Sequence, residues 1–263
     1  MSQAAVALQA DIPPQLPAWM GVRGFVDIHC HVLPGLDDGP GTPMDSRRML
    51  RSALSCGTAA MIATPHFSLQ FPFFSVELAA ERLAKLDSDR GGVSLFRGCE
   101  LEITDASLEA FFRDPRRYTL NGSRYALVEL MPQLVTPNLA RVLRQFLEAG
   151  ITPILAHPER YPFLHTRRQL VEEWVKGGGL LQGTAASFSQ RMGKRAQNAI
   201  WDLVSAGWLH FVASDAHDSL KRPPDMREAF RAVAERHGVA TAARLFTHNP
   251  LAVLCDEPLA TIA

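Results

Sequence analysis

Two patterns of apolar and polar residues alternate along the chain. Short runs rich in apolar and β-branched residues are followed by longer stretches with apolar residues at helical spacing, which is typical of βαβ units. The runs predict seven strands: Phe25–His29, Thr58–Ala63, Ser94–Cys99, Tyr125–Glu129, Ile151–Ala156, Leu180–Gly183 and Leu209–Ser214. The stretches predict six helices: Asp45–Ser55, Val76–Asp87, Leu139–Ala149, Arg168–Lys176, Arg195–Ala206 and Arg227–His237. The pattern therefore predicts an α/β fold, with seven strands suggesting a β/α barrel.

The alternative architecture is an open, doubly wound parallel sheet. Its usual nucleotide-binding motifs, GxGxxG and GxxxxGK[ST], follow none of the predicted strands, so this architecture has little support. Residues 1–22 contain Pro13, Pro14 and Pro17 and are predicted to be a flexible N-terminal extension. Residues 23–263 are predicted to form a single barrel domain.

Composition excludes several classes of function. Lys and Arg total 27 and Asp and Glu total 27, so no overall positive charge is available to hold a nucleic acid. No run of 18 apolar residues is present, and the first residues lack a basic segment followed by an apolar one, so we expect a cytoplasmic protein that is not embedded in a membrane. The four cysteines form no CxxC pair, which favours reduced thiols.

Candidate metal ligands follow the predicted strands at their carboxyl ends. In a parallel β/α barrel these ends converge on one face, where active sites are built, so residues far apart in the chain can meet. The candidates are His29, His31, Asp38, His66, Glu100, Glu129, His157, Asp215 and His217. Two of them form an HxH pair, in which residues two apart on an extended segment point to the same side.

The donor set limits the kind and number of ions. Imidazoles and carboxylates without cysteine favour manganese, zinc, iron or cobalt over a thiolate zinc site. Nine donors exceed what one ion takes, so two or three ions are expected. Four carboxylates balance two divalent ions, whereas three ions leave an excess of two positive charges, which suits a phosphate dianion.

Two arginines indicate the same ligand. Arg160 lies three residues beyond His157, and Arg222 lies five residues beyond His217. Guanidinium groups at the rim of a metal site bind phosphate oxygens in bidentate fashion. The residues thus predict a metal-dependent enzyme acting on a phosphate ester.

The segments DIHCH, LDDGP, ATPH, GCELEI, SRYALVEL, ILAHPERY and FVASDAH occur in this order. Together they resemble the polymerase and histidinol phosphatase (PHP) superfamily, and more narrowly its bacterial manganese-dependent tyrosine-protein phosphatases of capsule and exopolysaccharide operons. The likeness runs from about residue 25 to Pro250, and LDDGP, ALVEL and HPER are specific to this branch. One departure is LLQGTAASF, where relatives usually carry Asn or a similar residue near Thr184.

The resemblance implies a distorted (β/α)7 barrel with three divalent ions, manganese first among them. It assigns His29, His31, Glu100 and Asp215 to the first ion, Glu100, Glu129 and His157 to the second, and Asp38, His66 and His217 to the third. Arg160 and Arg222 would bind the phosphate, and His66 or a bound water could supply a proton. The implied partner is the phosphotyrosine tail of a bacterial tyrosine kinase that acts in polysaccharide export; the oligomeric state is left open.

The expected reaction is in-line attack on phosphorus by a hydroxide that bridges two ions, with no covalent enzyme intermediate. A cysteine-based tyrosine phosphatase would need Arg six positions after its nucleophile, but those positions hold Leu36, Ile62, Asp105 and Thr261. Three alternatives remain: a small-molecule phosphatase such as a histidinol phosphatase, a non-catalytic phosphotyrosine-binding regulator, and an amidohydrolase. The last usually needs a bridging lysine, and no Lys ends a predicted strand.

An aromatic loop follows His66. Phe67, Phe71, Phe73 and Phe74 could line the substrate entrance, since an exposed aromatic cluster suits a tyrosine ring. Trp201 and Trp208 are instead expected to pack in the core.

Overall fold

The computed structural model describes residues 24–72, 74–87, 92–131 and 138–260. The predicted extension over residues 1–22 lies outside the described residues, as does Phe73. The described strands are β1 (Phe25–Cys30), β2 (Thr58–Ala63), β3 (His66–Phe67), β4 (Ser94–Arg97), β5 (Glu100–Glu102), β6 (Tyr125–Glu129), β7 (Thr152–Ala156), β8 (Leu180–Thr184) and β9 (Phe211–Ala213). The described α-helices are α1 (Pro43–Ser55), α2 (Val76–Asp87), α3 (Asp105–Arg113), α4 (Leu139–Glu148), α5 (Pro162–Thr166), α6 (Arg168–Lys176), α7 (Gly193–Ser205), α8 (Arg227–His237), α9 (Val239–Ala243) and α10 (Asn249–Leu254).

The predicted alternation of strands and helices is confirmed, with most boundaries unchanged and the others shifted by one or two residues. Four helices, α3, α5, α9 and α10, were not predicted from the apolar pattern. Three of these four are only five or six residues long, too short to show a helical repeat. Among the described residues, no helix combines the length and the apolar character needed to span a membrane.

Two predicted strands are bent, which corrects the predicted count of seven continuous strands. The second ends at Ala63 and resumes as β3 after Thr64 and Pro65, and the third divides into β4 and β5 at Gly98. Pro65 has no N–H to donate to a neighbouring strand. At Gly98 a Cβ would lie 2.8 Å from a methyl carbon of Ile62, so only glycine allows this close approach.

The strands pair in parallel throughout. One sheet has the order β1–β2–β4, and the other has the order β3–β5–β6–β7–β8–β9. Because β2 and β3 belong to one bent segment, and β4 and β5 to another, the two sheets are continuous along the chain. A parallel bridge between Cys30 and Ala216 also joins the end of β1 to the segment after β9.

Both faces of the strands are covered by apolar side chains. In β6, for example, Ala126 and Val128 belong to a large cluster with the helices, whereas Tyr125 and Leu127 belong to a second cluster. Strands buried on both faces are typical of parallel sheets in α/β proteins. The polar residues of these segments therefore gather at the carboxyl ends of the strands, beyond the apolar layers.

Candidate metal centre

The nine predicted ligands converge at these carboxyl ends. Four lie within strands β1, β3, β5 and β6, and the other five lie in the loops that directly follow β1, β7 and β9. Each makes at least one contact of 4.0 Å or less with another member between imidazole nitrogen and carboxylate oxygen. Residues separated by as many as 188 positions, from His29 to His217, thus form one cluster.

The first group surrounds the HxH pair. His29 Nε2 lies 3.2 Å from His31 Nε2 and 3.2 Å from Glu100 Oε2. Asp215 Oδ1 lies 3.5 Å from His29 Nε2 and 3.7 Å from His31 Nε2. An ion about 2.1 Å from each ligand needs ligand atoms about 3.0–3.4 Å apart in octahedral or tetrahedral geometry. These four atoms have nearly that spacing.

The second group shares Glu100 with the first. Its other oxygen, Oε1, lies 2.9 Å from His157 Nε2, and Glu129 Oε2 lies 4.0 Å from the same nitrogen. Glu100 is 1% exposed and directs its two oxygens to two different sets of imidazoles. This arrangement is that of a carboxylate able to bridge two cations.

The third group gathers around Asp38. Asp38 Oδ1 lies 3.1 Å from His217 Nε2 and 3.5 Å from His66 Nε2. The other nitrogen of His66, Nδ1, lies 2.9 Å from Glu129 Oε1 and 3.2 Å from Glu100 Oε2. The His66 ring therefore stands between the second and third groups, so it can serve either.

Hydrogen bonds fix which nitrogen of the HxH pair faces inward. His29 Nδ1 lies 2.8 Å from Gln182 Oε1, and the amide nitrogen of Gln182 donates to the Gly183 carbonyl, which fixes the amide orientation. His31 Nδ1 lies 2.7 Å from Asp37 Oδ2. Both partners are acceptors, so both rings carry a proton on Nδ1 and direct Nε2, the nitrogen available to a metal ion, toward the cluster.

This donor set fits divalent cations. Two imidazole Nε2 atoms face each other at 3.2 Å beside two carboxylates, so a proton or a metal cation must lie among these acceptors. Glu100 Oε2 and His66 Nδ1 are buried and have no partner with hydrogen-bond geometry among the described residues. Coordination of a metal ion would satisfy these buried acceptors, which otherwise lack a partner.

The carboxylates of the cluster are held ionised. Burial raises the pKa of Glu100, but in the metal-free protein the charge of the protonated imidazoles, His29 first, outweighs burial and holds that pKa well below its usual range. For Asp38 burial is likewise outweighed by the hydrogen bond and charge of His217, which lower its pKa to about 2. The cluster therefore offers negatively charged ligands at neutral pH.

Two ligands have backbones in the left-handed region. His157 has φ 38° and Asp215 has φ 51°, a conformation that residues other than glycine rarely adopt. Backbone bonds hold both in place: the His157 N–H donates to the Gln182 carbonyl at 2.7 Å, and the Asp215 N–H donates to the His29 carbonyl at 2.9 Å. This backbone conformation costs about 1–3 kcal/mol at each position. It turns the side chains of His157 and Asp215 toward the cluster.

The two predicted arginines lie at the edge of the cluster, both on Asp215. Arg160 Nη1 donates to Asp215 Oδ2 at 2.6 Å, and Arg222 Nη2 donates to the Asp215 carbonyl at 3.1 Å and lies 2.9 Å from Oδ1. Their side chains are 34% and 30% exposed. Each guanidinium therefore has surface left for an anion that approaches from solvent. The Thr184 hydroxyl also lies near Asp215, 3.4 Å from Oδ2.

Three buried polar residues that support the cluster were not predicted. Asp37 and Gln182 orient the HxH pair, as described above. Glu159 is 1% exposed and accepts bonds from the Thr184 N–H at 2.9 Å and the Ser187 hydroxyl at 2.7 Å, which fixes the chain beside Arg160. Asp37 lies within LDDGP, next to a predicted ligand, and Gln182 is a polar residue in an otherwise apolar strand; these were the available signals.

The aromatic loop contacts the cluster through Phe71. Its ring stacks on the His66 imidazole with centroids 5.1 Å apart and an angle of 8° between planes. Phe67 instead packs against Phe74 and Tyr118. Trp201 and Trp208 pack against the core, as predicted. Arg236 lies over the Trp201 ring, and Arg168 lies over the Trp208 ring.

A family model described as "Capsular polysaccharide synthesis, CpsB/CapC" matches residues 25–255. The chain belongs to the CpsB/CapC family. The family predicted from the sequence motifs is thereby confirmed, and the cluster described above lies entirely within the matched residues.

Two relatives, each from a different organism, are similar to this chain over most of their own length. Tyrosine-protein phosphatase YwqE of Bacillus subtilis (strain 168) is 33% identical over 219 residues, covering 81% of this chain and 85% of the relative. Tyrosine-protein phosphatase CpsB of Streptococcus pneumoniae is 30% identical over 246 residues, covering 89% of this chain and 99% of the relative.

A solved structure shows that the similarity extends to the fold. A chain from the crystal structures of YwqE from B. subtilis and CpsB from S. pneumoniae, described as unique metal-dependent tyrosine phosphatases, has a TM-score of 0.82 at 29% identity. It covers 89% of this chain and 96% of that chain. The α/β fold with parallel strands is thus shared with that structure.

Proposed function

We propose that the protein is a metal-dependent protein-tyrosine phosphatase that regulates capsular or exopolysaccharide synthesis. The observation that carries this proposal is the cluster of five imidazoles and four carboxylates with two arginines at its edge. The names of the relatives supply the substrate class, phosphotyrosine on protein.

The proposed architecture is a distorted (β/α)7 barrel of the PHP type, formed as a single domain by residues 23–263. Its support is the order of strand pairing. When β2 with β3 and β4 with β5 are each counted as one bent strand, seven strands follow one another, and the bridge from Cys30 to Ala216 joins the last to the first.

Three divalent ions, manganese in the first place with zinc, iron or cobalt as alternatives, are proposed for the three groups of ligands. His29, His31, Glu100 and Asp215 would hold the first; Glu100, Glu129 and His157 the second; and Asp38, His66 and His217 the third. When bound, such ions activate water as a nucleophile and neutralise phosphate oxygens. Three ions against four carboxylates leave two positive charges, which match a phosphate dianion.

The side chains of this protein would then position the phosphate. Arg160 and Arg222 each donate to Asp215 from one nitrogen and keep other N–H groups for phosphate oxygens. The leaving group would be a tyrosine phenolate, whose conjugate acid has a pKa of about 10, so it needs less protonation than an alkoxide. If His66 supplies a proton, one of its contacts with Glu129 or Asp38 must first open, because both ring nitrogens face carboxylates.

The proposed protein substrate is the phosphotyrosine tail of a bacterial tyrosine kinase, with the reaction in the cytoplasm. The family description, capsular polysaccharide synthesis, and the names of the relatives as tyrosine-protein phosphatases support a phosphotyrosine protein of polysaccharide synthesis as the substrate. A nucleic-acid partner has no support, because the chain has no net charge.

The test is reconstitution of metal-free protein with Mn²⁺, Zn²⁺, Fe²⁺ or Co²⁺, followed by assays with a phosphotyrosyl peptide and histidinol phosphate at equal enzyme concentration. We expect metal-dependent release of phosphate that favours the peptide and persists after alkylation of the thiols. A large preference for histidinol phosphate would favour a small-molecule phosphatase. Tight peptide binding without phosphate release would favour a non-catalytic regulator.

A further inference from the structure

A small cleft opens beside the metal centre, between the loop that follows β8 and the loop that follows β9. Its volume is about 140 Å³, and Asp215 and Arg222 of the centre form part of its wall. Whole-ligand pockets usually measure about 300–1,000 Å³, so this cleft suits a single side chain. The cleft adjoins Arg222, one of the two arginines proposed to bind phosphate. A residue next to a bound phosphotyrosine would therefore lie near the cleft.

The apolar part of the cleft comes from small side chains. Ala185, Ala186 and Ala229 are among the residues that line it, together with Met192 and Pro223. Such a surface can accommodate methylene groups, while the polar residues at the edge select the end group of the side chain.

The charges around the cleft are unequally paired. Arg191 and Lys221 both line it and are exposed, and neither side chain forms a hydrogen bond or an ion pair within 4.0 Å in the described part of the chain. The charge of Lys221 also acts on Asp218, which lies outside the cleft. Asp225 also lines it, but Arg227 holds this carboxylate through two bonds of 2.7 and 2.9 Å. Asp215 is held by Arg160 and Arg222, so Glu228 is the remaining carboxylate of the lining, and two cations without an ion pair face one such carboxylate.

We propose that this cleft binds an acidic side chain adjacent to the phosphotyrosine of the protein substrate. The proposal rests on the proposed function, since it supposes a phosphotyrosyl peptide in the metal centre. Successive Cα atoms lie about 3.8 Å apart, so a neighbouring side chain emerges close to the tyrosine that enters the centre. Arg191 and Lys221 attract the carboxylate, and Glu228 opposes them.

Binding of two peptides measures this preference without requiring turnover. Both carry a difluorophosphonate analogue of phosphotyrosine; one has glutamate on each side of it and the other has glutamine, with glycine elsewhere. Their Kd values for the metal-loaded protein are measured by fluorescence anisotropy at low ionic strength. We expect the glutamate peptide to bind about three- to tenfold more tightly, the range of one or two exposed ion pairs.

Three variants locate the effect. The double variant Arg191→Gln with Lys221→Gln should abolish the preference for glutamate, whereas Glu228→Gln should increase it. The matched control is Lys194→Gln with Arg195→Gln, which removes two exposed charges from the first turn of α7 outside the cleft and should leave the preference unchanged. Turnover of a small aryl phosphate should be the same in all variants.

Equal Kd values for the two peptides on the unaltered protein would overturn the proposal. So would a glutamate preference that survives in the Arg191 and Lys221 double variant, or one that the control variant loses equally. Failure of the protein to hydrolyse any phosphotyrosyl peptide would refute the proposed function alone, because the ratio of the two Kd values still decides whether the cleft selects an acidic residue.

Discussion

Asp37 offers a direct way to test the metal centre through a residue that binds no ion itself. Its side chain is 1% exposed, and its Oδ2 accepts from His31 Nδ1 at 2.7 Å and from the His66 N–H at 3.0 Å. Its Oδ1 accepts from the Gly39 N–H at 2.9 Å. One carboxylate thus connects two proposed ligands with the loop that carries a third, Asp38.

In the variant Asp37→Asn, an amide oxygen can replace only one of the two carboxylate oxygens. If it keeps the bonds to His31 and His66, the amide NH₂ faces the Gly39 N–H, so a buried donor loses its acceptor at a cost of about 1–3 kcal/mol. The negative charge that makes the His31 imidazole a stronger ligand is also lost. We expect metal affinity to fall about 10- to 100-fold, equivalent to about 1.4–2.7 kcal/mol.

Competition between the protein and a chelating dye for Mn²⁺ or Zn²⁺ measures this loss directly. The matched control is Asp45→Asn, which removes the same charge from the exposed first turn of α1, where Asp45 contacts Thr42 and Arg48. Thermal unfolding of the metal-free proteins separates lost affinity from lost folding. Affinity within twofold of the unaltered protein, or an equal loss in the control, would refute the proposed role of Asp37.

Three further changes have expected outcomes. Arg160→Lys should lower kcat/KM for phosphotyrosyl peptide about 10- to 100-fold, because a point charge replaces a fork-shaped donor; steady-state kinetics would contradict this if kcat/KM were unchanged. Phe71→Ala should raise KM about two- to tenfold for the peptide and less for a small phosphate ester, since Phe71 stacks on His66; equal effects on both substrates would exclude a platform for the tyrosine ring. Burial, aided by Arg244, lowers the pKa of His210 to about 4, so the unfolded chain takes up a proton near pH 6.5 before the folded protein does. Stability should therefore fall by about 2 kcal/mol between pH 7 and pH 5, and urea unfolding of His210→Asn should show this loss reduced by that amount, whereas an unchanged pH dependence would refute the assignment.

The carboxyl-end placement of the ligands could be predicted from the sequence alone. Apolar runs locate the strands, and a polar residue directly after such a run lies at a strand end whatever the tertiary arrangement. His66 follows β2 by three residues and Glu100 follows β4 by three, and both still reach the cluster although the strands bend there. The close approach of Gly98 to Ile62 at the second bend joins residues that are distant in sequence.

The two adjacent aspartates of LDDGP show the limit of this reasoning. The sequence predicts Asp38 as a ligand and indicates no role for Asp37, yet the structure turns Asp37 to His31 and Asp38 to His217 and His66. Neighbouring residues of a loop have no fixed periodicity, so only the folded loop decides which carboxylate faces the cluster.

Local order along the chain is enough to predict the alternation of strands and helices, the family, and the donor types that gather at one edge of the sheet. Apolar spacing and strand ends are properties of short segments, so they can be read without knowing the fold. Which atoms of those donors meet depends instead on how distant segments pack. Gln182 fixes the inward nitrogen of His29 from 153 residues away, and Arg191 and Lys221 line one cleft from two different loops. Such contacts depend on packing between distant segments, which no local pattern records.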